Sequence, residues 1–210
     1  MTKKYELVLD DTISFWGWKL FRIRALISFG SIEAGDLGGY IEKEDNLSHD
    51  GNAWVYGDAK VSGNAKVWGD AKVSGNAKVW GNAEVSGNAK VWGDAKVSGN
   101  AKVSGNAEVS GNAEVSGNAK VSGNAEVSGN AEVSGNAEVS ELGDIIVFKN
   151  HWSSGRHFTY TKSNKMWKVG CFYGTGQELI KKAYRDSEKS GNYYKAYVDF
   201  VETLERLSEE

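Results

Sequence analysis

From Gly51 to Ser140 the chain repeats every six residues, reading GNAWVY, GDAKVS, GNAKVW and onward to GNAEVS through fifteen units with no insertion. Within a unit Ala and Val alternate with a charged residue and with Ser or Trp. An extended tetrapeptide of this kind therefore turns Ala and Val to one side and the polar residues to the other. The Gly-Asn or Gly-Asp pair that follows supplies a corner, because these residues tolerate positive φ at least cost. So short a strand cannot bury its apolar side alone. Each must stack on an equivalent strand one coil away and share an enclosed interior, which makes the segment a solenoid.

The segment resembles the hexapeptide-repeat proteins, whose coils hold three strands and 18 residues. That resemblance implies a left-handed parallel β-helix of about five coils, mainly β, with Ala53 and Val55 opening the inward series and Ala137 and Val139 closing it. The hand comes from the resemblance alone. A register slip of one residue would turn every Val outward. Corner amides such as Asn82, Asn100 and Asn118 are expected to stack in ladders.

On the 18-residue count, one outward face carries Trp54, Lys72, Lys90, Glu108 and Glu126. The next carries Lys60, Lys78, Lys96, Glu114 and Glu132, and the third Lys66, Glu84, Lys102, Lys120 and Glu138. The early coils are basic and the late ones acidic, so long charged side chains should pair between coils. Trp68, Trp80 and Trp92 occupy outward sites that are Ser in nearly every later unit, and they fall on three different faces. Together with Trp54 they are candidate interface residues of a homo-oligomer, dimer or trimer, since aromatic side chains are enriched at interface cores.

An open solenoid needs its ends closed. Residues 1–50 read as an N-terminal β cap, with strands over Tyr5–Leu9, Thr12–Phe15 and Lys19–Ile27 and a turn at Gly17. Residues 51–140 are the repeat. Residues 141–210 read as a small α+β domain, with strands over Asp144–Lys149, His157–Thr161 and Met166–Phe172 and a hairpin turn at Ser163-Asn164. Thr175 and Glu178 have capping-box spacing and start a helix through Tyr184. Gly191 should break it before a second helix with Tyr197, Phe200 or Val201, Leu204 and Leu207 on one stripe.

Three stretches besides the repeats, Phe21-Arg22-Ile23-Arg24-Ala25-Leu26, Ala34-Gly35-Asp36-Leu37-Gly38-Gly39-Tyr40 and Val169-Gly170-Cys171-Phe172-Tyr173-Gly174-Thr175, make the whole chain similar to a family of uncharacterised bacteriophage and prophage hexapeptide-repeat proteins. The resemblance implies a bacterial host cytoplasm and no reaction. A lone cysteine and an N-terminus without an apolar run agree with that compartment. A net charge of -3 creates no field for nucleic acid or membrane.

The chemistry excludes more than it assigns. Acyltransferases built on such coils use a histidine near the rod and a protruding loop, yet no repeat contains His and no loop interrupts the units. Metal and calcium motifs are missing, GxGxxG spacing is absent, and no cofactor is expected. Cys171, amid apolar residues on an expected strand, reads as a buried structural thiol. The remaining cluster lies in the 150s: Trp152, Ser153, Ser154, Arg156, Thr159 and Tyr160 combine hydroxyls, a guanidinium suited to anions and aromatics suited to stacking. These are the candidate ligand-binding residues, with no catalytic residue assigned. The leading expectation is a non-catalytic phage accessory protein, an oligomeric scaffold whose end domain binds a host protein or a small anionic or nucleotide signal and counters host defence. A virion fibre component is the structural alternative, and an acyltransferase-like enzyme the catalytic one.

Overall fold

The computed structural model describes residues 2–209. Two N-terminal strands, β1 (Tyr5–Phe15) and β2 (Trp18–Ala25), form an antiparallel hairpin, and β3 (Leu37–Ile41) pairs antiparallel with β2. The turn residues Trp16 and Gly17 both have positive φ, the requirement of a two-residue hairpin turn that matches strand twist. The two strands expected before Gly17 are one, with a register shift between Val8 and Thr12.

The repeat then runs as fifteen two-residue strands, β4 (Trp54–Val55) through β18 (Glu138–Val139), stacked in parallel in three sheets. Register is strict at 18 residues, as in Lys96 opposite Glu114 and Val97 opposite Val115. Every repeat Ala and Val is buried, so one interior runs unbroken from Ala53 to Val139. Each corner Gly has positive φ. The expected amide ladder is present: Asn82 Nδ2 donates to Asn100 Oδ1 at 2.9 Å, and Asn100 to Asn118 at 2.9 Å. Between-coil ion pairs also form, including Lys90–Glu108 at 2.7 Å and Lys96–Glu114 at 2.5 Å. These are exposed, and each contributes about 0.2–1 kcal/mol at most.

The solenoid is about one coil longer than the repeat. Strand β3 pairs in parallel with β5 (Lys60–Val61), and Leu47 bridges Val67, so a non-repeating segment supplies the first turn. The spacing there is 20 residues, Tyr40 to Lys60 and Leu47 to Val67, and falls to 18 at Trp54 and Lys72, because His49 and Asp50 add two residues before the Gly51-Asn52 corner. Gly38 and Gly39 permit the close approach, since a Cβ on Gly39 would lie 2.7 Å from Ala59 O. Lys4 closes the same end: its buried ammonium donates to Ala53 O at 2.9 Å and Gly51 O at 3.3 Å and sits 4.8 Å from the Phe29 ring centre.

The C-terminal domain is a four-stranded antiparallel sheet, β19 (Ile145–Lys149), β20 (His157–Thr161), β21 (Met166–Val169) and β22 (Phe172–Thr175), under helices α1 (Gly176–Asp186) and α2 (Glu188–Glu209). The single strand expected over Met166–Phe172 is a hairpin, because Gly170 takes φ of 56° and turns the chain. This places Cys171 in the turn and exposes its thiol, contrary to the buried role expected for it. Thr175 caps α1 as expected, accepting from Glu178 N at 3.3 Å while Glu178 Oε2 accepts from Thr175 N at 2.8 Å. The helix break falls at Ser187, not at Gly191. Gly191 lies inside α2, where an added Cβ would press on the Tyr184 ring and force it to move. No helix among the described residues is long and apolar enough to cross a membrane.

Candidate binding surface

The six residues singled out in the 150s do not form one site. Strand β20 alternates, as strands must, so Thr159 and Tyr160 point to opposite sides, and both are buried. Thr159 faces the rod, where its Oγ1 accepts from Glu132 N at 2.9 Å and so terminates one sheet of the solenoid. Tyr160 faces the helices and donates to Glu205, and burial together with that carboxylate pushes its phenol well above the ordinary range. Thr159 is fully enclosed, and Tyr160 shows only its edge to a cleft shared with Lys165, Gln177 and Glu202. Trp152 is half-buried and stacks on Tyr193 at 4.6 Å and 9°, packing also against Phe158, Tyr194 and Tyr197. Its role is chiefly to build the domain core, although its indole N–H finds no acceptor among the described residues.

Ser153, Ser154 and Arg156 remain on the surface. Asn150 organises their loop, accepting from Ser153 N and Ser153 Oγ, each at 3.0 Å, while Asn150 N donates to Arg156 O at 2.8 Å. Ser154 Oγ accepts from Arg156 N at 3.3 Å. The Arg156 guanidinium has no hydrogen bond or ion pair among the described residues.

The tryptophans also separate. Trp54 is 1% exposed, enclosed by Tyr5 and Phe29 of the N-terminal cap at 6.1 and 5.4 Å, so it belongs to the core and is not presented to a partner. Trp80 is half-buried beneath the hairpin tip, with Trp16 edge-on at 5.1 Å. Trp68 and Trp92 stand out from the rod, 48% and 46% exposed.

What the structure does assemble is an apolar groove of about 400 Å³ between β19 and α2, lined by Phe148, His151, Tyr193, Ala196, Tyr197 and Phe200. It arises from a stripe shifted by one residue. Helix α2 buries Tyr194, Val198 and Val201, while the adjacent stripe of Tyr193, Tyr197, Phe200 and Leu207 stays half or fully open. Phe200 is 50% exposed and Leu207 61%. The groove is rigidly backed: Phe148 stacks on Phe158 at 5.3 Å and meets Tyr197 edge-on at 4.9 Å. His151 Nδ1 lies 3.4 Å from the Tyr197 hydroxyl at its rim. The signal for this surface was present in α2 as apolar residues on two neighbouring stripes, wider than one packed face requires.

The fold and this surface define a β-solenoid carrying an α+β end domain with an exposed aromatic groove. No known protein family and no curated protein matches the chain.

Proposed function

We propose that the protein is a non-catalytic binding protein: the solenoid is a rigid scaffold, and the end domain recognises a partner protein through the aromatic groove. One observation carries the reading. Phe148, Tyr193, Tyr197 and Phe200 line one continuous apolar groove over the packed core of Phe158, Tyr160 and Trp167, whereas the domain's other exposed aromatics, Tyr173 and Tyr184, lie outside it. Exposed apolar grooves backed by rigid aromatic residues are where binding energy concentrates in interfaces. Set against a small anionic ligand, the groove offers apolar rings, and Arg156 with Ser153 and Ser154 is what remains of the expected anion site. A bacterial cytoplasm as the place of action and a counter-defence role rest on the sequence resemblance to phage and prophage hexapeptide-repeat proteins alone, which no family match supports.

The test compares bacterial lysate proteins retained by the wild type, by Phe200→Asp and by Arg156→Ala. A protein retained by the wild type and Arg156→Ala but lost with Phe200→Asp supports recognition through the groove. Loss with Arg156→Ala alone favours the anionic ligand instead. A wild-type dimer in light scattering that Phe200→Asp dissociates would reassign the groove to self-association.

A further inference from the structure

At the C-terminal end of the solenoid one sheet is capped at both strand amides, a second at one of them and, among the described residues, the third at neither. Where β17 (Glu132–Val133) ends its sheet, Thr159 Oγ1 accepts the Glu132 N–H at 2.9 Å and Lys168 pairs with Glu132 at 3.5 Å. Where β18 ends its sheet, Ser163 Oγ accepts the Glu138 N–H at 2.9 Å, and Asp144 accepts from Ser140 N at 2.6 Å. The third sheet ends at β16 (Glu126–Val127), which pairs with β13 (Glu108–Val109) on one side and with nothing on the other. Among the described residues the amides of Glu126, Ser128 and Asn130 have no acceptor, and these three residues are exposed. The corner at Gly129 is likewise open: a Cβ there would meet nothing within 4 Å, whereas at Gly111, one coil earlier, it would meet Gly129 N and O at 3.1 Å.

Charge at this edge is also incomplete. In the same stack Lys90 pairs with Glu108 at 2.7 Å, which leaves Glu126 directly beside Glu108 with no cation of its own among the described residues. In the neighbouring sheet the equivalent place beyond Glu132 is filled by a lysine, Lys168. Unpaired strand edges are templates for an added strand, and a cross-strand cation is what the Glu108–Glu126 pair lacks.

We infer that the β16 edge accepts a basic extended segment of a partner protein as an added parallel strand, with a Lys or Arg in register with Glu126. A second copy is a poor occupant. Its own β16 would set Glu126 against Glu126, and its N-terminal edge is covered by Lys4, β3 and Leu47. This site is separate from the aromatic groove and stands or falls without it.

The test is amide NMR of the 15N-labelled full chain titrated with two synthetic peptides taken from its own solenoid. One is basic, with the sequence of residues 93–104 (GDAKVSGNAKVS), and the other acidic, with that of residues 105–116 (GNAEVSGNAEVS). The expected result is saturable movement of the Glu126 and Ser128 amides, with the basic peptide bound roughly three- to tenfold tighter at low salt. Glu126→Lys should reverse that preference, while the same reversal at Glu188 in the helical domain should leave it in place. Absence of shifts at Glu126 and Ser128 overturns the proposal, as does a preference indifferent to Glu126→Lys. A concentration-dependent dimer of the free protein that broadens these same amides would show a second copy as the occupant and overturn it equally.

Discussion

Gly57 and Gly63 lie at successive corners of the same coil and have nearly the same backbone, with φ of 59° and 67°. They differ in what stands above them. A Cβ on Gly57 would reach only Gly75 O, at 3.8 Å, while one on Gly63 would meet Gly81 O at 3.0 Å and Gly81 N at 3.2 Å. Alanine at either corner carries the left-handed penalty, about 1–2 kcal/mol, less about 0.4–1 kcal/mol because it also restricts the unfolded chain. At Gly63 the Cβ presses in addition on backbone, which cannot swing aside like a side chain, and overpacking of that kind costs about 1–3 kcal/mol more. Gly57→Ala should therefore lose about 1 kcal/mol and Gly63→Ala about 2–4 kcal/mol. Urea unfolding followed by far-UV circular dichroism reads the difference. With a slope of about 2 kcal/mol per molar, the two midpoints should separate by roughly 1 M at equal slope. Equal losses, or a larger one at Gly57, would refute the idea that coil-to-coil approach, beyond φ alone, demands glycine at the corners.

Burial presses the Lys4 ammonium down to about 8, with Asp50 and Asp70 opposing that fall, whereas an unfolded lysine holds its proton to 10.5. Between those values the unfolded chain carries the extra proton, so wild-type stability relative to Lys4→Met should rise as pH goes from 8 to 10; a flat or falling difference in urea midpoints would contradict this. Trp54→Ala should cost about 3–5 kcal/mol through the cavity left between Tyr5 and Phe29, whereas Trp68→Ser and Trp92→Ser should each stay within about 0.5 kcal/mol in thermal melts. Thr159→Val removes the acceptor of the Glu132 amide, so hydrogen exchange at Glu132 should quicken while global stability falls by about 1 kcal/mol. Gly191→Ala gains about 1 kcal/mol of helix propensity but forces the Tyr184 ring aside at about 1–3 kcal/mol, and a net stabilisation in denaturation would show that the ring yields freely.

The solenoid was legible because each unit satisfies one rule by itself: Ala and Val inward, Gly at the corner, and eighteen residues per turn then set every register. Legibility stops wherever a segment without the period touches one that has it. Strand β3 joins the coil through Gly38 and Gly39, whose closeness to Val55 O and Ala59 O no repeat pattern encodes. Trp54 occupies an outward repeat position yet is buried, because the cap that covers it is set by Tyr5 and Phe29, 49 and 25 residues earlier in the chain. Thr159 reads as one more hydroxyl in a polar cluster until β20 is laid on the last coil and its Oγ1 meets Glu132 N. The aromatic groove depended on which of two adjacent stripes of α2 turns inward, a choice decided by α1 and the sheet, not by α2 alone. The coils repeat one backbone and one interior, and differ outwardly chiefly in Lys or Glu and in the few Trp positions. The two surfaces proposed for partners lie where the period has ended or is about to end, the groove inside the C-terminal domain and the β16 edge at the last coil.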